Sequence, residues 1–478
     1  MSSSEGRESD PTRSLVSPAG KRPKAVVVGV QLSDVSEQEH TSSLEELERL
    51  ASTLGLEAIG RVTQKRDHLA TNAVLGDGKL QELASWTGGS GVVPSGAIRK
   101  KRKIDASDDD EEEFEDEYDD ELAEQPSGAF GNALPARATV VLVDHDLSPS
   151  QARNLERATG AEVLDRTSVI LEIFQRHART REARLQVEIA RLAYSAPRLR
   201  QTGGSDRQRG GIGGKGAGES SLELDRRKIR DRIAELRHEL ANIEREAGVR
   251  RKRRSEAATV ALVGYTNAGK SSWMRALTGG EVYVADKLFA TLDTTVRVLV
   301  PETHPRILVS DTVGFIKKLP HDLVASFRST LEEAREANLL LHVLDASDPA
   351  FRQQFEVTRT VLAELHADDA PSLVLLNKVD KLNAEERAAL AEEFPGALQV
   401  SARNTEDKAR VHGALVHFFE KDMLEETFTI PYAKQALTSR LHEETRVLSE
   451  TYDDEGAVVT VRASRLILER FKKDLLRQ

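Results

Sequence analysis

Buried strands alternate with helices along the first third of the chain, as the spacing of apolar residues indicates. Continuous apolar runs predict buried strands, whereas apolar residues three or four positions apart predict helices. The predicted order is strand 25–30, helix 42–54, strand 57–62, a helix start at 81–84, strand 139–144, helix 148–159 and strand 161–164. Because this alternation is typical of a parallel sheet, we expect a small parallel α/β domain over 25–176.

Two long amphipathic helices follow this domain. Their apolar residues recur at intervals of three, four and seven: Leu185, Ile189, Leu192, Ala196 and Leu199, then Leu222, Ile229, Ile233, Leu236, Leu240 and Ile243. This spacing is typical of a coiled-coil seam, so we predict an antiparallel helical hairpin over 177–254. Its tip at 201–219 is rich in glycine and basic residues. On sequence alone the tip fits a phosphate-binding surface and a flexible linker equally well.

The net charge of −11 comes from one acidic segment. Residues 105–121 contain thirteen Asp or Glu and no Lys or Arg, so the rest of the chain has 66 acidic and 68 basic residues. This segment lies in an insert of about 86–136 whose low apolar content predicts disorder. We favour a solvated linker over an RNA-contacting patch or a localisation signal for the basic run 99–103. The basic run 250–254 suits a helix end and is also compatible with an RNA backbone contact.

Composition excludes several classes of site. The chain has no cysteine, which removes disulfides, thiolate metal sites and cysteine nucleophiles. Residues 1–24 form a polar tail, predicted to be disordered, without the apolar core of a signal peptide. No run of about eighteen apolar residues occurs, so we expect no membrane insertion. We therefore expect a soluble, cytoplasmic protein and leave peripheral association with a membrane open. We also expect a monomer.

The segment 264–271 reads G-Y-T-N-A-G-K-S and lies between an apolar strand and a predicted helix. In the pattern G-x-x-x-x-G-K-S, backbone N–H groups surround nucleotide phosphates, the lysine meets the β- and γ-phosphates, and the serine hydroxyl binds Mg²⁺. The positive end of the helix dipole adds to this attraction. Because both flanks have the required pattern, we favour a nucleotide-binding loop over a simple turn.

A second segment predicts the part of the site that responds to GTP. A strand ends in D-T-V-G at 311–314, which places Asp311 to reach Mg²⁺ through water and the Gly314 N–H to contact a γ-phosphate. The next residue, Phe315, stands where signalling GTPases have a glutamine that orients water. Intrinsic hydrolysis should therefore be slow.

Two single residues carry more specific hypotheses. Thr291 is our choice over Thr294 and Thr295 as the threonine that binds Mg²⁺ when GTP orders the segment around it. Asn267 matches the position that potassium-activated GTPases use to hold a monovalent cation. We hypothesise that K⁺ or a docked partner stabilises the charge of the transition state there. A hydrogen bond that stabilises the loop is an equally good interpretation of Asn267.

The last two segments predict the choice of base. Asn377-Lys378-Val379-Asp380 follows an apolar strand, and the Asp380 carboxylate can accept from the guanine N1–H and amino group, which adenine lacks. Ser401-Ala402-Arg403 resembles the S-A-x segment that contacts the base from the other side.

The predicted GTP-binding residues are Gly264, Tyr265, Thr266, Asn267, Ala268, Gly269, Lys270, Ser271, Phe289, Ala290, Thr291, Leu292, Asp293, Asp311, Thr312, Val313, Gly314, Asn377, Lys378, Val379, Asp380, Ser401, Ala402 and Arg403. Of these, the residues predicted to act in catalysis are Lys270, Thr291, Gly314 and Asn267, and the magnesium set is Ser271, Thr291 and, through water, Asp311.

The chain resembles the HflX family, which are ribosome-associated GTPases in the Obg-like branch of P-loop GTPases. Besides the phosphate loop and 377–380, the resemblance rests on the segments 147–156, 178–188, 216–227, 288–293 and 311–316. It covers about 25–478 apart from the charged insert. The segments 178–188 and 216–227 are more specific to the family than the GTPase motifs.

This resemblance implies a GTPase that hydrolyses GTP to GDP and phosphate and binds the large ribosomal subunit through its N-terminal parts. It implies hydrolysis that is faster on ribosomes and a role in splitting or rescuing stalled ribosomes under stress. It also makes Arg207, Arg209 and Lys215 of the hairpin tip expected contacts of ribosomal RNA. Two alternatives are a nucleotide-regulated RNA or ribosome-binding scaffold with slow, timing hydrolysis, and a signalling GTPase without a ribosomal role.

The expected organisation is therefore a P-loop GTPase domain between smaller parts. A parallel α/β domain with a helical hairpin precedes it, and a small α+β domain follows it. The predicted boundaries are 1–24 for the tail, 25–176 for the first domain, 177–254 for the hairpin, 255–421 for the GTPase domain and 422–478 for the C-terminal domain.

Overall fold

The structure, a computed structural model, describes most of the chain. The described residues are 22–70, 73–93, 137–198, 221–254, 258–279, 288–289, 295–303, 306–318, 328–367, 369–421 and 423–476. Several predicted features lie outside the described residues, namely most of the tail, the charged insert from 94 to 136, and the hairpin tip with Arg207, Arg209 and Lys215.

The described residues contain both helices and strands in similar numbers. The helices are α1 (Glu37–Leu54), α2 (Asp77–Thr87), α3 (Pro149–Thr159), α4 (Arg166–His177), α5 (Arg181–Ser195), α6 (Ser221–Arg254), α7 (Lys270–Thr278), α8 (Arg328–Arg335), α9 (Phe351–Glu364), α10 (Ala384–Glu393), α11 (Thr405–Glu420), α12 (Gln435–Glu444) and α13 (Arg465–Leu476). The strands are β1 (Lys24–Gln31), β2 (Glu57–Lys65), β3 (Val140–Val143), β4 (Glu162–Asp165), β5 (Ala258–Val263), β6 (Thr295–Val298), β7 (Ile307–Asp311), β8 (Leu339–Asp345), β9 (Ser372–Asn377), β10 (Leu398–Gln399), β11 (Leu424–Pro431), β12 (Arg446–Tyr452) and β13 (Gly456–Ala463). This confirms the predicted α/β class.

The chain divides into two compact units, and the first consists of residues 1–40 and 55–165. It contains a parallel sheet of four strands in the order β2-β1-β3-β4. Val26 and Val28 of β1 lie beside Val141 and Val143 of β3, in a core to which α2 and α3 also contribute. The two central strands, β1 and β3, are apolar and buried at nearly every position, as the continuous runs in the sequence predict, whereas the edge strand β2 is largely exposed.

The second unit, 41–54 and 166–478, contains a sheet of six strands in the order β10-β9-β8-β5-β7-β6. β6 pairs antiparallel with β7, and the other neighbours are parallel. Trp273 of α7 is fully buried in its core beside Leu262 and Val343. The carboxyl ends of β5, β7 and β9 lie at one edge of this sheet, where parallel sheets usually bind ligands.

Helices α5 and α6 of this unit pack antiparallel, as predicted. Arg181 pairs with Glu239, and Glu188, further along α5, pairs with Arg232, which comes earlier on α6. The two helices therefore run in opposite directions. Leu185, Ile189 and Leu236 form the buried centre of the seam; the other described members are Leu192, Ile233, Leu240 and Ile243.

The C-terminal part of this unit is a three-stranded antiparallel sheet in the order β11-β13-β12, packed against α12 and α13. Asp453 closes the turn between β12 and β13, because its carboxylate accepts from the N–H groups of Glu455 and Gly456 at 2.9 Å. This is the α+β arrangement that the sequence predicts.

Three elements of the N-terminal part, α1, α2 and α4, differ from the sequence prediction. Helix α1 begins at Glu37, before the predicted start at 42, and the Ser36 hydroxyl accepts from the Glu39 N–H at its first turn. Helix α2 continues through Thr87, and Trp86 packs against the core of the first unit, beyond the predicted start of the insert. Helix α4 was not predicted. No helix in the described ranges combines the length and apolarity needed to span a bilayer.

Candidate functional site

The phosphate loop connects β5 to α7 and can be built only with glycine at two positions. Gly264 has φ of 147°, and a β-carbon there would lie 2.3 Å from the Val343 carbonyl oxygen. Gly269 has φ of 105°, and its β-carbon would lie 2.3 Å from Asn377 Nδ2. These two close approaches fix the shape of the loop and place the N-terminus of α7 at its end.

Lys270 is the first residue of α7 and its side chain is only 6% exposed. Its ammonium donates to the carbonyl oxygens of Gly264 and Tyr265 at 2.9 and 2.8 Å. Burial lowers the pKa of Lys270 to about 8, and the nearby carboxylate of Asp311 opposes that effect. A buried cation of this kind gains stability when a bound anion supplies the missing negative charge.

The oxygens of Ser271 and Asp311 suit a magnesium ion. Ser271 Oγ donates to Asp311 Oδ2 at 2.8 Å, and Asp311, at the end of β7, is fully buried. Mg²⁺ prefers oxygen ligands and commonly combines a few protein oxygens with substrate phosphates. The donors present therefore fit Mg²⁺. Thr291, the third predicted ligand, lies outside the described residues, as do Ala290, Leu292 and Asp293.

The segment after β7 lies directly on the phosphate loop. Phe315 accepts from the Thr266 N–H at 2.8 Å and donates its own N–H to the Gly264 carbonyl at 3.2 Å. A β-carbon at Gly314 would lie 2.9 Å from both Lys270 Nζ and Thr266 Cα. Gly314 therefore lies against the phosphate loop, next to the lysine that was predicted to bind the same phosphate. The Phe315 side chain is buried.

The base-selecting segment is attached to the phosphate loop by two side chains. Asn377 donates to the Ala268 carbonyl at 2.8 Å, and Lys378 donates to the Asn267 carbonyl at 2.9 Å. Lys378 also pairs with Asp345 at 2.6 Å. These contacts hold the loops after β5 and β9 in one fixed arrangement.

Asp380 is exposed, and the Ser401 hydroxyl is its main hydrogen-bonding neighbour. That hydrogen bond lowers the pKa of Asp380, with smaller contributions from its own backbone N–H and from nearby basic residues. Ser401 is itself fixed, since its N–H donates to Asp407 at 2.9 Å. The carboxylate is thus kept ionised and ready to accept two hydrogen bonds from guanine.

The structure brings four of the predicted segments together: the phosphate loop, 311–314, 377–380 and 401–403. Asn267 is exposed with φ of 61°, a region in which Asn is favoured among non-glycine residues. Phe289, predicted to contact the nucleotide, buries its ring edge-to-face against Phe174, with ring centroids 4.7 Å apart.

One group at this site was not predicted at all. Glu46 of α1 and Arg166 of α4 form a buried ion pair, and the Tyr265 hydroxyl donates to Glu46 Oε1 at 2.5 Å. The same hydroxyl accepts from the Lys317 N–H at 2.7 Å. The sequence signal that could have indicated this group is Tyr265 itself. The backbone of the phosphate loop does not require so large a side chain at that position, so the tyrosine ring and hydroxyl must have partners elsewhere.

Models of three protein families match parts of the chain. Residues 41–93 and 131–175 match "GTP-binding GTPase N-terminal", 177–254 match "GTP-binding GTPase Middle Region", and 259–378 match "50S ribosome-binding GTPase". The chain is 56% identical over 454 residues to GTPase HflX of Gluconacetobacter diazotrophicus, covering 95% of this chain and 98% of that protein. The chain belongs to the HflX family of GTPases.

A second HflX protein agrees with this assignment. GTPase HflX of Escherichia coli is 36% identical over 440 residues, which cover 91% of this chain and 92% of that protein. A GTP-binding protein of Sulfolobus solfataricus, solved with GDP, aligns with 83% of this HflX chain and 99% of its own at 21% identity and a TM-score of 0.41. HflX membership and the matching GTPase region confirm the predicted activity, a GTP-binding enzyme that hydrolyses GTP.

Proposed function

We propose that this HflX GTPase binds the large ribosomal subunit and hydrolyses GTP there to split or rescue stalled ribosomes under stress. The observation that carries the proposal is the match of 259–378 to a family described as 50S ribosome-binding GTPase. A ribosomal partner also favours the cytoplasm as the place of action, and we propose a monomer as the working form.

The helical hairpin supports this proposal by its geometry. Because α5 and α6 run antiparallel, the end of α5 at Ser195 and the start of α6 at Ser221 lie at the same end of the hairpin. The segment between them therefore leaves and returns at that end. Its basic residues Arg207, Arg209 and Lys215 suit phosphate groups of ribosomal RNA, and we propose them as contacts.

We also propose roles for the residues of the nucleotide site. Lys270 and the Gly314 N–H would bind the γ-phosphate, and Asp380 would read guanine. Ser271 and Thr291 would hold Mg²⁺, with Asp311 acting through water. That ion, when bound, neutralises charge on the β- and γ-phosphates. The protein groups supply position, since Lys270 and Asp311 are buried and fixed before nucleotide binds.

Asn267 remains the proposed site of an effect of K⁺. Its exposed position on the phosphate loop would allow its side chain to help hold a monovalent cation near the phosphates. We expect faster hydrolysis in potassium than in sodium buffer. Equal rates in the two buffers, with and without ribosomes, would contradict the cation site and favour a role of Asn267 in stabilising the loop.

The decisive experiment is steady-state GTP hydrolysis in potassium buffer, with and without purified large ribosomal subunits. We expect marked stimulation by the subunits, and we expect deletion of 201–219 to remove the stimulation without changing the intrinsic rate. The triple variant Arg207→Ala, Arg209→Ala, Lys215→Ala should weaken binding and reduce its dependence on salt, because three phosphate contacts are lost.

A matched control replaces three basic residues of the C-terminal helix, Arg465, Lys472 and Lys473, by alanine. These lie in α13, and their loss should leave the stimulation unchanged. Tight GTP binding without any stimulation would contradict the proposal and favour a scaffold or a signalling GTPase.

A further inference from the structure

The Tyr265 side chain connects the phosphate loop to a buried ion pair. Tyr265 is 3% exposed, and its hydroxyl donates to Glu46 Oε1 at 2.5 Å. The other carboxylate oxygen of Glu46 pairs with Arg166, and both of these charged residues are buried. Arg166 also lies 3.5 Å from the carbonyl and the hydroxyl of Ser43. Four side chains from α1, α4 and the phosphate loop thus form one network.

Burial of this network is costly, which argues for a role beyond folding stability. Removing two charges from water carries a penalty that their attraction only partly offsets, so a buried ion pair is weak evidence of stabilisation. Such pairs are better explained when they specify one arrangement among several. Burial also raises the pKa of Tyr265 well above its ordinary value, and the negative charge of Glu46 adds to this effect. The hydroxyl therefore keeps its proton and stays a donor.

The same hydroxyl holds the segment that follows β7. We call residues 314–318 the second switch segment. Its Lys317 N–H donates to Tyr265 Oη at 2.7 Å, and Lys318 Nζ lies 3.4 Å from Ser43 Oγ. Together with the two hydrogen bonds of Phe315 to the phosphate loop, these contacts fix the segment at both of its ends.

In this position the second switch segment leaves little room at the phosphate loop. A single β-carbon added to Gly314 would lie 2.9 Å from Lys270 Nζ and from Thr266 Cα, closer than real β-carbon contacts. A γ-phosphate bound between Lys270 and the Gly314 N–H is larger than a methyl group. A γ-phosphate in that position would shift the segment outward while keeping the Gly314 N–H within reach, whereas GDP, which lacks that phosphate, would leave the segment in place.

We propose that Tyr265, Glu46 and Arg166 hold the second switch segment on the phosphate loop and thereby bias the site toward GDP over GTP. Tyr265 is a positioning residue in this scheme. When a ligand binds only the displaced conformation, its apparent affinity equals its intrinsic affinity multiplied by the fraction of molecules in that conformation. GTP affinity is thus lowered by this network, and GDP affinity is not. The proposal concerns the nucleotide site alone and does not depend on ribosome binding.

The test is the variant Tyr265→Phe in the full-length chain. Phenylalanine keeps the buried ring but removes the hydroxyl, so the hydrogen bonds to Glu46 and Lys317 are lost while the ion pair remains. Dissociation constants are measured for GDP and for a non-hydrolysable GTP analogue, with Mg²⁺ and without ribosomes. Because one neutral hydrogen bond contributes about a fivefold change in an equilibrium, we expect the analogue to bind about fivefold tighter relative to GDP.

The matched control is Tyr432→Phe, which removes the same atom at an exposed tyrosine whose hydroxyl donates to the Asp453 carbonyl at 2.8 Å. Its ratio of affinities should stay unchanged. A second measurement compares the rise in melting temperature produced by saturating GDP with that produced by the analogue. The difference between these two rises cancels any general loss of stability in Tyr265→Phe.

A changed ratio in favour of the analogue supports the proposal. An unchanged ratio, or a ratio shifted toward GDP, overturns it and leaves Tyr265 with a role in folding alone. Since no ribosome is present, neither result bears on the proposed ribosomal partner.

Discussion

The two ends of the nucleotide site differ in how their charged groups meet water. At the phosphate end, Lys270 and Asp311 are 6% and 0% exposed. At the base end, Asp380 is exposed, and a hydrogen bond from Ser401 holds it. Both ends are built from short loops at the carboxyl ends of parallel strands of one sheet.

This difference separates affinity from selectivity. A buried cation without an anion beside it is unfavourable. Phosphate binding relieves this cost, which strengthens the binding of the nucleotide. An exposed carboxylate stays hydrated until guanine replaces water, so the free energy that it contributes depends on the donors of the base and sets the choice between bases. We therefore expect substitutions at the two ends to change different measured quantities.

The largest effect is expected for Lys270→Met. Methionine keeps the unbranched buried chain but removes the charge that binds phosphate, so kcat/KM for GTP should fall by about 10³-fold or more. Because the burial penalty of the ammonium disappears too, the melting temperature of the nucleotide-free protein should change by less than about 3 °C. Hydrolysis assays and thermal unfolding measure the two quantities.

The control is Lys421→Met, at an exposed lysine directly after α11, which should leave kcat/KM unchanged. If Lys270→Met strongly destabilised the nucleotide-free protein, the ammonium would be a structural cation, and the contrast between the two ends would disappear.

A smaller effect, on base choice, is expected for Asp380→Asn. The amide keeps one acceptor oxygen but lacks the charge, so GTP affinity should fall by about 100-fold. Xanthine carries a carbonyl where guanine carries its amino group, and the Asn amide can donate to it. Xanthosine triphosphate should therefore bind more tightly to the variant than GTP does, as measured by competition.

Asp369→Asn is the matched control, since it removes an exposed carboxylate in the loop before β9. Its preference for GTP should equal that of the unchanged protein. Loss of affinity for both nucleotides to the same degree would assign Asp380 to loop structure and not to base recognition.

The sequence was informative where the chemistry of the site is local. The phosphate loop, Asp311 and 377–380 each follow an apolar strand directly, and a strand fixes the direction in which the next few residues leave it. Their convergence follows from parallel strands ending at one edge. What the sequence could not specify is the contact between loops, such as that of Asn377 with Gly269, because it depends on packing between separate segments.

The unpredicted parts of the site depend on contacts between distant residues. Glu46 and Arg166 are 120 positions apart, and charged residues of amphipathic helices usually face water. Helix α4 carries an apolar run at 169–171 that is also compatible with a short strand. Its helical form buries Ile170, Ile173 and Phe174 together, and only tertiary packing selects that form.

The smallest expected effect is a dependence of affinity on pH that arises at the phosphate end alone. Burial lowers the pKa of Lys270 to about 8 in the nucleotide-free protein. Bound phosphate favours the protonated form and raises that pKa, so binding takes up a proton when the pH exceeds 8. Affinity for GDP should therefore fall as pH rises, by about fourfold from about pH 7 to about pH 8.5.

Calorimetry in two buffers of different ionisation heat measures this proton uptake directly. Guanosine is the matched ligand, because it reaches the base end without phosphates, and its affinity should stay constant over the same range. Asp380 adds nothing in this window, since its pKa is lowered from an already acidic value. A flat profile for GDP would mean that Lys270 is already fully charged in the empty site. The strong binding of phosphate would then arise from the backbone N–H groups of the loop and the helix dipole more than from a buried charge awaiting its partner.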